Sequence, residues 1–311
     1  MTLADALSKI CSEKFFAKEL FTVKLTKKFA ACLTVLLFAF AMTATVAFAA
    51  VENGVDWERG VVRATGFGAG KAAFLKKNPG LYREQARRAA TMDAQRKLAE
   101  AVEGVQVTAT STMADLELEH DIVKTTVNAL IKGITEVSVE YVDGGRNCRV
   151  VLEMPLFGSA SSTGSDSLSE AAFLPFKDTP KTDFPSPVDT TVATQPTVIN
   201  QNYTGLIIDC RGMNINCVMS PVIKNADGTK IYGHENLDYD KIIVNGMAAY
   251  SNDAYDQISS QRAGKNPLVI KAIRLDDLNA NPVVSVADAD KILAANVHDK
   301  FLNNCAVVFV K

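Results

Sequence analysis

The sequence has few of the residues that bind metals. Its 311 residues include 3 histidines and 6 cysteines, and it has no C-x-x-C motif. Structural zinc sites use closely spaced pairs of these residues. His120, His234 and His298 fall in separate predicted elements, and none has, at i+2 or i+4, a second ligand of a type that makes a site on spacing alone. We therefore expect no metal site, and the sequence indicates no cofactor.

An excess of positive charge is also absent. The formal net charge is −2, and the first 49 residues carry six lysines and three acidic residues, which leaves −5 for the remainder. Proteins that bind nucleic acids present a basic surface to the phosphates. We therefore expect no nucleic-acid partner.

A segment near the N-terminus has the pattern of an export signal. Lys24, Lys27 and Lys28 precede residues 29–48, which contain no charged side chain. A basic flank followed by a short apolar core is typical of a secretory signal peptide. We expect a protein that works outside the cytoplasm, in the periplasm, at the cell envelope or in the extracellular space.

The apolar core ends in small residues that a signal peptidase accepts. Ala47 and Ala49 form an A-x-A site, so cleavage before Ala50 makes residues 1–49 the signal peptide and leaves no permanent membrane span. A retained anchor is the alternative, although the core is shorter than the roughly 20 strongly apolar residues of a spanning helix. The segment before Val23 is long and carries both charge signs, which favours a true start at Val23.

The composition divides the mature chain into two domains. Residues 158–201 are rich in Ser, Thr, Pro and Asp, which predicts a linker between domains at 50–157 and 202–311. The exception within the linker is 171–176, which is apolar enough to pack on a neighbour. Both domains mix strand and helix patterns, so the predicted fold class is α+β.

In the first domain, strand and helix patterns alternate. A helix at 80–102 carries a stripe of alanines, which predicts close packing on a sheet. The predicted elements are a strand at 60–68, the helix at 80–102, a strand at 105–110, a helix at 116–132 and a hairpin of strands at 135–142 and 147–154.

In the second domain the strands are short and apolar. Ser285 is placed to cap a helix that runs to about residue 302 and buries Ala289, Leu293, Val297 and Phe301. The other predicted elements are strands at 204–209, 218–224, 229–232, 266–274, 282–286 and 306–310, a short strand near Tyr250 and a helical turn at 253–260.

The helix run at 87–100, with Ala64-Thr65-Gly66-Phe67-Gly68 before it and Val105-Gln106-Val107 after it, resembles a known family. It is similar to the LPP-twenty surface lipoprotein family and the related N-terminal domain of flagellar assembly protein T, over about residues 58–157. The resemblance implies a non-enzymatic envelope protein, with envelope proteins or the flagellar basal body as partners. The chain lacks a lipobox at the end of its apolar run, so the lipid anchor of the lipoproteins is not carried over.

The segment Gly66-Phe67-Gly68-Ala69-Gly70-Lys71 has the composition of a phosphate-binding loop but not its spacing. A Walker loop requires glycine at the position of Thr65 and Ser or Thr at that of Ala72. Nucleotide binding is therefore not expected. We interpret the glycines as allowing a bulge or a tight exit from the strand.

Two cysteines of the second domain are close in sequence. Cys210 and Cys217 are seven positions apart, and in an oxidising compartment they are candidates for a disulfide that closes a small loop. Free buried thiols are the alternative.

Three pairs of acidic residues raise the question of a hydrolase. Paired carboxylates perform glycoside hydrolysis when they face each other in a cleft. Here each pair borders a predicted turn or helix start, where acids cap helices and complement the helix dipole, so we predict no catalytic residue. The pairs are Asp238 and Asp240, Asp276 and Asp277, and Asp288 and Asp290.

Basic residues of the first helix form a candidate interaction face. They lie opposite the alanine stripe and are Arg83, Arg87, Arg88, Arg96 and Lys97. Acidic lipid headgroups, an acidic wall polymer or a partner protein would suit such a face, and an ordinary solvated helix surface is the alternative.

These patterns favour an exported, non-catalytic bacterial envelope protein that acts as an assembly or binding module, in its sharpest form attached to the flagellum. The alternatives are a periplasmic protein that binds a small ligand and, with less support, a hydrolase of cell wall or glycan. An apolar pocket favours the first alternative, and convergence of the acidic pairs favours the second.

Overall fold

The computed structural model describes residues 53–134, 136–158, 167–187 and 202–311. The predicted signal peptide, with its start at Val23 and its cleavage site at Ala47, Ala49 and Ala50, lies outside the described residues, as does most of the predicted linker. The described residues belong to one compact unit. Within the described ranges, no helix combines the length and the apolarity needed to cross a membrane.

The described residues contain eight α-helices and three four-stranded sheets, which confirms the α+β class. The helices are α1 (Phe74–Lys77), α2 (Pro79–Glu103), α3 (Met113–Glu119), α4 (Asp121–Gly133), α5 (Leu168–Phe173), α6 (Tyr239–Asn245), α7 (Gln257–Ala263) and α8 (Val286–Asp299). The strands are β1 (Gly54–Asp56), β2 (Val61–Ala69), β3 (Glu136–Val142), β4 (Asn147–Pro155), β5 (Gly205–Asp209), β6 (Ile223–Asn225), β7 (Lys230–Tyr232), β8 (Ala249–Ser251), β9 (Pro267–Lys271), β10 (Arg274–Asp276), β11 (Asn281–Val284) and β12 (Val307–Val310).

The first sheet is antiparallel, with the order β1-β2-β4-β3, and α2 packs against it. The alanine stripe of α2 is fully buried, as predicted, at Ala86, Ala90 and Ala94. Opposite these methyl groups stand Gly66 and Gly68 of β2. A Cβ atom added to either glycine would overlap the backbone of α2, so the two elements approach as closely as backbones allow.

The interpretation as a bulge or strand exit was wrong for Gly66 and Gly68, whereas Gly70 directly follows the end of β2. Strand β2 continues to Ala69 and pairs with β4 in unbroken register from Val61↔Pro155 to Ala69↔Asn147. Gly66 and Gly68 lie inside this regular stretch. Their missing side chains make room for α2, which is a packing role rather than a turn role.

Two elements of the first domain differ from prediction. The segment 105–110 is a tight loop rather than a strand, closed by bonds from the Val107 N–H to the Ser111 carbonyl and from the Met113 N–H to the Val105 carbonyl. The helix predicted at 116–132 is two helices, because His120 has extended backbone angles (φ −135°, ψ 103°) between α3 and α4.

The second half of the chain forms two sheets. The order β8-β12-β5-β9 is entirely parallel, and the order β10-β11-β6-β7 is mixed. The strand predicted at 266–274 divides between them, because the Ala272 N–H still bonds to Asp209 of the parallel sheet whereas the Ile273 N–H bonds to Val283 of the other. Ser285 caps α8 as predicted, but Val297 is 62% exposed and does not join the buried face.

The two halves share one hydrophobic core. The N–H groups of Met219 and Ser220 bond to the carbonyls of Gln106 and Val107, and Trp57 makes an edge contact with Tyr250 at 5.6 Å between ring centroids. Helix α5, inside the predicted linker, is buried along 171–173, which confirms that this segment packs on a neighbour. Its docking places the residues after it against the second half of the chain.

Candidate functional site

Two surface features of the described residues have the shape of binding sites. One is an open groove of about 760 Å³ beside α4, named here the α4 groove. The other is a smaller cleft of about 220 Å³ between the chain after α5 and the start of α6, named here the α6 cleft. Neither feature contains the basic or acidic residues singled out from the sequence, apart from Asp238.

The α4 groove combines apolar groups with the carboxylates of Glu153 and Glu170. Its α4 wall includes Thr125, Thr126 and Ala129, and its opposite wall includes Met154 and Pro155 at the end of β4. The two threonine hydroxyls donate to carbonyls four residues back in the helix, each at 2.9 Å. Because their hydroxyls are occupied in this way, the threonines contribute mostly apolar surface to the groove.

The apolar surface continues from the groove to the corner between α3 and α4. Leu118 is 84% exposed and Ile122 is 60% exposed, on either side of the break at His120. Ile122 lies four residues before Thr126 and seven before Ala129, so it shares their face of α4. An exposed apolar surface beside a groove is typical of a protein-binding site.

The α6 cleft is held in shape by bonds between segments far apart in sequence. The Ser169 hydroxyl donates to the Ile243 carbonyl at 2.7 Å and fixes α5 against α6. Further along, the Thr182 N–H bonds to the Glu235 carbonyl, and the Asn236 side chain donates to Thr182 Oγ1 at 3.2 Å. The segment 174–181 between these anchors forms one wall of the cleft.

Aromatic rings form much of this wall and its opposite side. Phe176 packs against the His234 ring, with 4.8 Å between centroids and an interplanar angle of 47°. Lys177 places its ammonium 5.8 Å above the Tyr239 ring, within the range of a cation–π interaction. Burial lowers the pKa of His234 and raises that of Tyr239. Both rings are therefore uncharged at neutral pH.

The acids of the α6 cleft have hydrogen-bond or ion-pair partners, whereas its lysines form no ion pair among the described residues. Asp238 caps α6 by accepting from the Lys241 N–H at 3.3 Å, and Glu235 lies 3.4 Å from Lys230. Lys177 and Lys181 are exposed, and neither has a carboxylate partner within the part of the chain that the structure describes. The cleft therefore places two lysines that form no ion pair in the described ranges beside aromatic rings.

The predicted basic residues do not share one surface. Arg83 stacks over Tyr141 and Arg87 pairs with Glu136, both beside β3. Toward β2, Arg96 and Lys97 pair with Asp93, and Lys97 also donates to the Thr65 carbonyl. The fifth residue, Arg88, is exposed between these flanks. Four of the five therefore hold α2 to its own sheet or to itself.

The predicted acidic pairs take the structural roles expected of them where a bond is seen. Besides Asp238, Asp288 receives a hydrogen bond from the Ser285 cap at 2.6 Å. Asp276 pairs with Arg274, and Asp277 pairs with Lys224. These residues lie on different elements, and neither cleft described above brings two of the pairs together.

The cysteines and histidines show no reactive arrangement in the described ranges. Cys210 is buried and Cys217 is half-buried, and both are free thiols; burial raises the pKa of Cys210 to about 12 and that of Cys217 to about 11. No three His, Cys, Asp or Glu residues among those described lie close enough together to hold a metal ion. His298 bonds to the adjacent Asp299 at 2.7 Å on the surface.

One cation with a structural role was not anticipated from the sequence. The half-buried Arg262 side chain donates to the carbonyls of Asn245 and Gly246, the latter at 2.6 Å, at the C-terminal end of α6. A cation there is favourable because the end of a helix carries partial negative charge. No periodicity in the sequence predicts this role, because the position of Arg262 at the end of α7 indicates an exposed side chain.

Similarity to a known family is found in the second half of the chain. Residues 205–311 are similar to a family described as the second domain of Treponema pallidum Tp0624. None of the curated proteins matches the chain. The similar region includes His234, Tyr239 and Arg262, whereas the wall of the α6 cleft at 173–181 lies before it.

Proposed function

We propose that this protein is an exported, non-catalytic component of a bacterial envelope that binds a partner protein in an assembly. The observation that carries the proposal is the exposed apolar corner of Leu118 and Ile122 beside the α4 groove. Such a surface is expensive to leave in water and is typical of proteins that associate. The export pattern at residues 24–49 supports a site of action outside the cytoplasm.

The proposal has a narrower form, a role at the base of the flagellum. Its support is the resemblance of residues 58–157 to the N-terminal domain of flagellar assembly protein T. The corner and the groove lie within or at the end of this region. Deletion of the gene tests the narrower form, because unchanged motility and unchanged basal-body composition would remove it and leave the general proposal standing.

Cross-linking in intact cells tests the general proposal. The full chain is expressed with an affinity tag, and cross-linked partners are identified by mass spectrometry from the wild type and from Leu118→Ser/Ile122→Ser. We expect envelope proteins in the wild-type sample and their loss, by about tenfold or more, in the double variant.

The matched control is Val297→Ser, which removes an apolar side chain that is 62% exposed on α8, far along the chain from the corner. It should keep the partners. Equal recovery from the double variant and the control, or recovery of no envelope protein from any sample, would contradict the proposal. Localisation of the unmodified protein to the cytoplasm would contradict the exported part of it.

A second candidate function, binding of a small ligand, is favoured by the α6 cleft. Its aromatic rings and unpaired lysines are the groups that hold anionic ring compounds. The hydrolase alternative has less support, because the acids at 238, 276, 277 and 288 cap helices or pair with cations.

A further inference from the structure

The α6 cleft is lined by two acids that have partners and by two lysines that have no ion-pair partner among the described residues. Its acids, Glu235 and Asp238, interact with Lys230 and with the first turn of α6. Lys177 and Lys181 stand exposed at the same cleft. A ligand carboxylate would meet these ammonium groups without displacing an existing ion pair among the described residues.

The rings of the cleft favour a ligand that has a flat or hydrocarbon-rich face. Phe176 and His234 form one joined wall, and Tyr239 lies beneath Lys177. Packing against aromatic faces stabilises both aromatic rings and the C–H faces of sugar rings. The neutral His234 imidazole adds one hydrogen-bond donor or acceptor beside that wall.

The size of the cleft limits what enters it. At about 220 Å³ it is smaller than the pockets of about 300–1,000 Å³ that take drug-sized molecules. One ring with one charged substituent fits this volume. A nucleotide or a folded peptide does not.

We infer that the α6 cleft binds a small ring compound with a single carboxylate, its ring against Phe176 and His234 and its carboxylate at Lys177 and Lys181. An aromatic acid and an acidic sugar share this chemistry. The inference depends on the proposed function in one respect only, that the ligand is bound and released without being changed.

Calorimetric titration of the protein, purified after expression of the full chain, tests the inference. The probes are 4-hydroxybenzoate for the aromatic acids and glucuronate for the acidic sugars, each with its neutral counterpart, 4-hydroxybenzamide or glucose. We expect one acid to bind and its neutral counterpart to bind at least tenfold more weakly. The acid that binds identifies the source of the ligand.

Variants locate the site. Lys177→Met should weaken binding by about tenfold, because it removes one charge-assisted contact to the ligand carboxylate. Lys291→Met removes an exposed lysine from α8 and should leave binding unchanged. Lys177 is exposed, so the variant is expected to fold, and Phe176→Leu supplies an independent loss of affinity through the ring wall.

The outcomes separate this inference from the proposed function. If neither acid binds, if the neutral compounds bind equally well, or if Lys291→Met weakens binding as much as Lys177→Met, the inference is overturned and the cross-linking result decides the assembly role. Recovery of the bound acid unchanged, measured by NMR, supports both. Its consumption would keep the site but overturn a non-catalytic function.

Discussion

Helices α2 and α7 lie on different sheets but approach them in the same way. In the first sheet, Gly66 and Gly68 of β2 face Ala90 and neighbouring residues of α2; in the parallel sheet, Gly205 of β5 faces Ala263 of α7. In each case an added Cβ would meet helix backbone. Close contact between a strand and a helix thus requires the smallest side chains on both, whether the sheet is parallel or antiparallel.

The two contacts differ in how the helix is held. Helix α2 has 25 residues and also bonds to the part of β2 that β1 does not cover. There Asp93 accepts a hydrogen bond from the Phe67 N–H, and Lys97 donates one to the Thr65 carbonyl. Helix α7 has 7 residues and is anchored by the Asp256 cap and by Arg262. The long helix therefore has little freedom to shift when its contact is disturbed, whereas the short one has more.

The largest effect is expected for Gly66→Val. The new side chain would collide with the backbone of α2, which is fixed along its length, so we expect the free energy of unfolding to fall by about 3 kcal/mol or more. Urea unfolding followed by circular dichroism measures the change. Gly80→Ala is the control, since its new Cβ would have no neighbour closer than 3.6 Å. Similar losses for both variants would refute the close-packing explanation.

A smaller effect is expected for Gly205→Ala. The added Cβ would lie 2.5 Å from Cα and 2.6 Å from the carbonyl oxygen of Ala263, but α7 is short enough to move, so we expect a loss of about 1–3 kcal/mol. Because the collision involves backbone atoms, Ala263→Gly should not restore stability in the double variant. Full restoration, seen in the same urea unfolding measurement, would show that only the Ala263 side chain is in the way.

Replacement of Arg262 by Met should cost about 1–2 kcal/mol. The change leaves the carbonyls of Asn245 and Gly246 without their donor and removes a cation from the end of α6. Thermal unfolding measures the loss, with Lys265→Met, an exposed residue nearby in sequence, as the control. An unfolding temperature equal to that of the control would show that the Arg262 guanidinium adds no net stability.

The smallest effect is expected for Asp93→Asn, and it depends on pH. The hydrogen bond from Lys97 lowers the pKa of Asp93 from 3.8 to about 2. A carboxyl whose pKa is lower in the folded state stabilises the fold above the unfolded pKa and loses that contribution as the pH falls from about 4 to about 2. At neutral pH we expect less than about 1 kcal/mol, because the group is partly exposed.

The difference between wild type and Asp93→Asn in unfolding free energy, followed from pH 7 downward, checks this. The difference should shrink between about pH 4 and pH 2, the interval set by the two pKa values. A difference that does not change with pH would mean that the carboxylate has the same pKa in the folded and unfolded chain.

In the first half of the chain, the alanine pattern predicted the packing correctly, whereas the role of Gly66 and Gly68 was predicted wrongly. The stripe at Ala86, Ala90 and Ala94 predicted a helix close to a sheet, and the structure confirms it. The sequence predicted a bulge or a tight strand exit at Gly66 and Gly68, because a strand pattern alone does not show which side a helix will occupy. Gly66 and Gly68 have a packing role only because α2 lies against β2 in the folded chain.

The prediction of a single helix at 116–132 was wrong for a related reason. Its apolar residues continue across His120 with nearly helical spacing, but the capping box of Thr112 and Asp115 begins a separate helix at Met113, and the extended backbone of His120 ends it. The exposure of Leu118 and Ile122 at that corner follows from the break. An apolar pattern alone does not reveal whether its residues will be buried.

The clefts were the least predictable part. Phe176 and Lys177 belong to the predicted linker and lie more than fifty positions before His234, so no local pattern connects them to it. The sequence by itself determined four features of the protein: the α+β class, the alanine face of α2, the buried segment at 171–173 and the helix caps. Each of these depends on residues that lie within a few positions of one another. The tertiary structure alone decided which distant segments share a cleft, how the strand after Ala272 changes sheets and where Arg262 finds its carbonyls. These contacts depend on the packing of whole elements, which brings together residues that share no period along the chain.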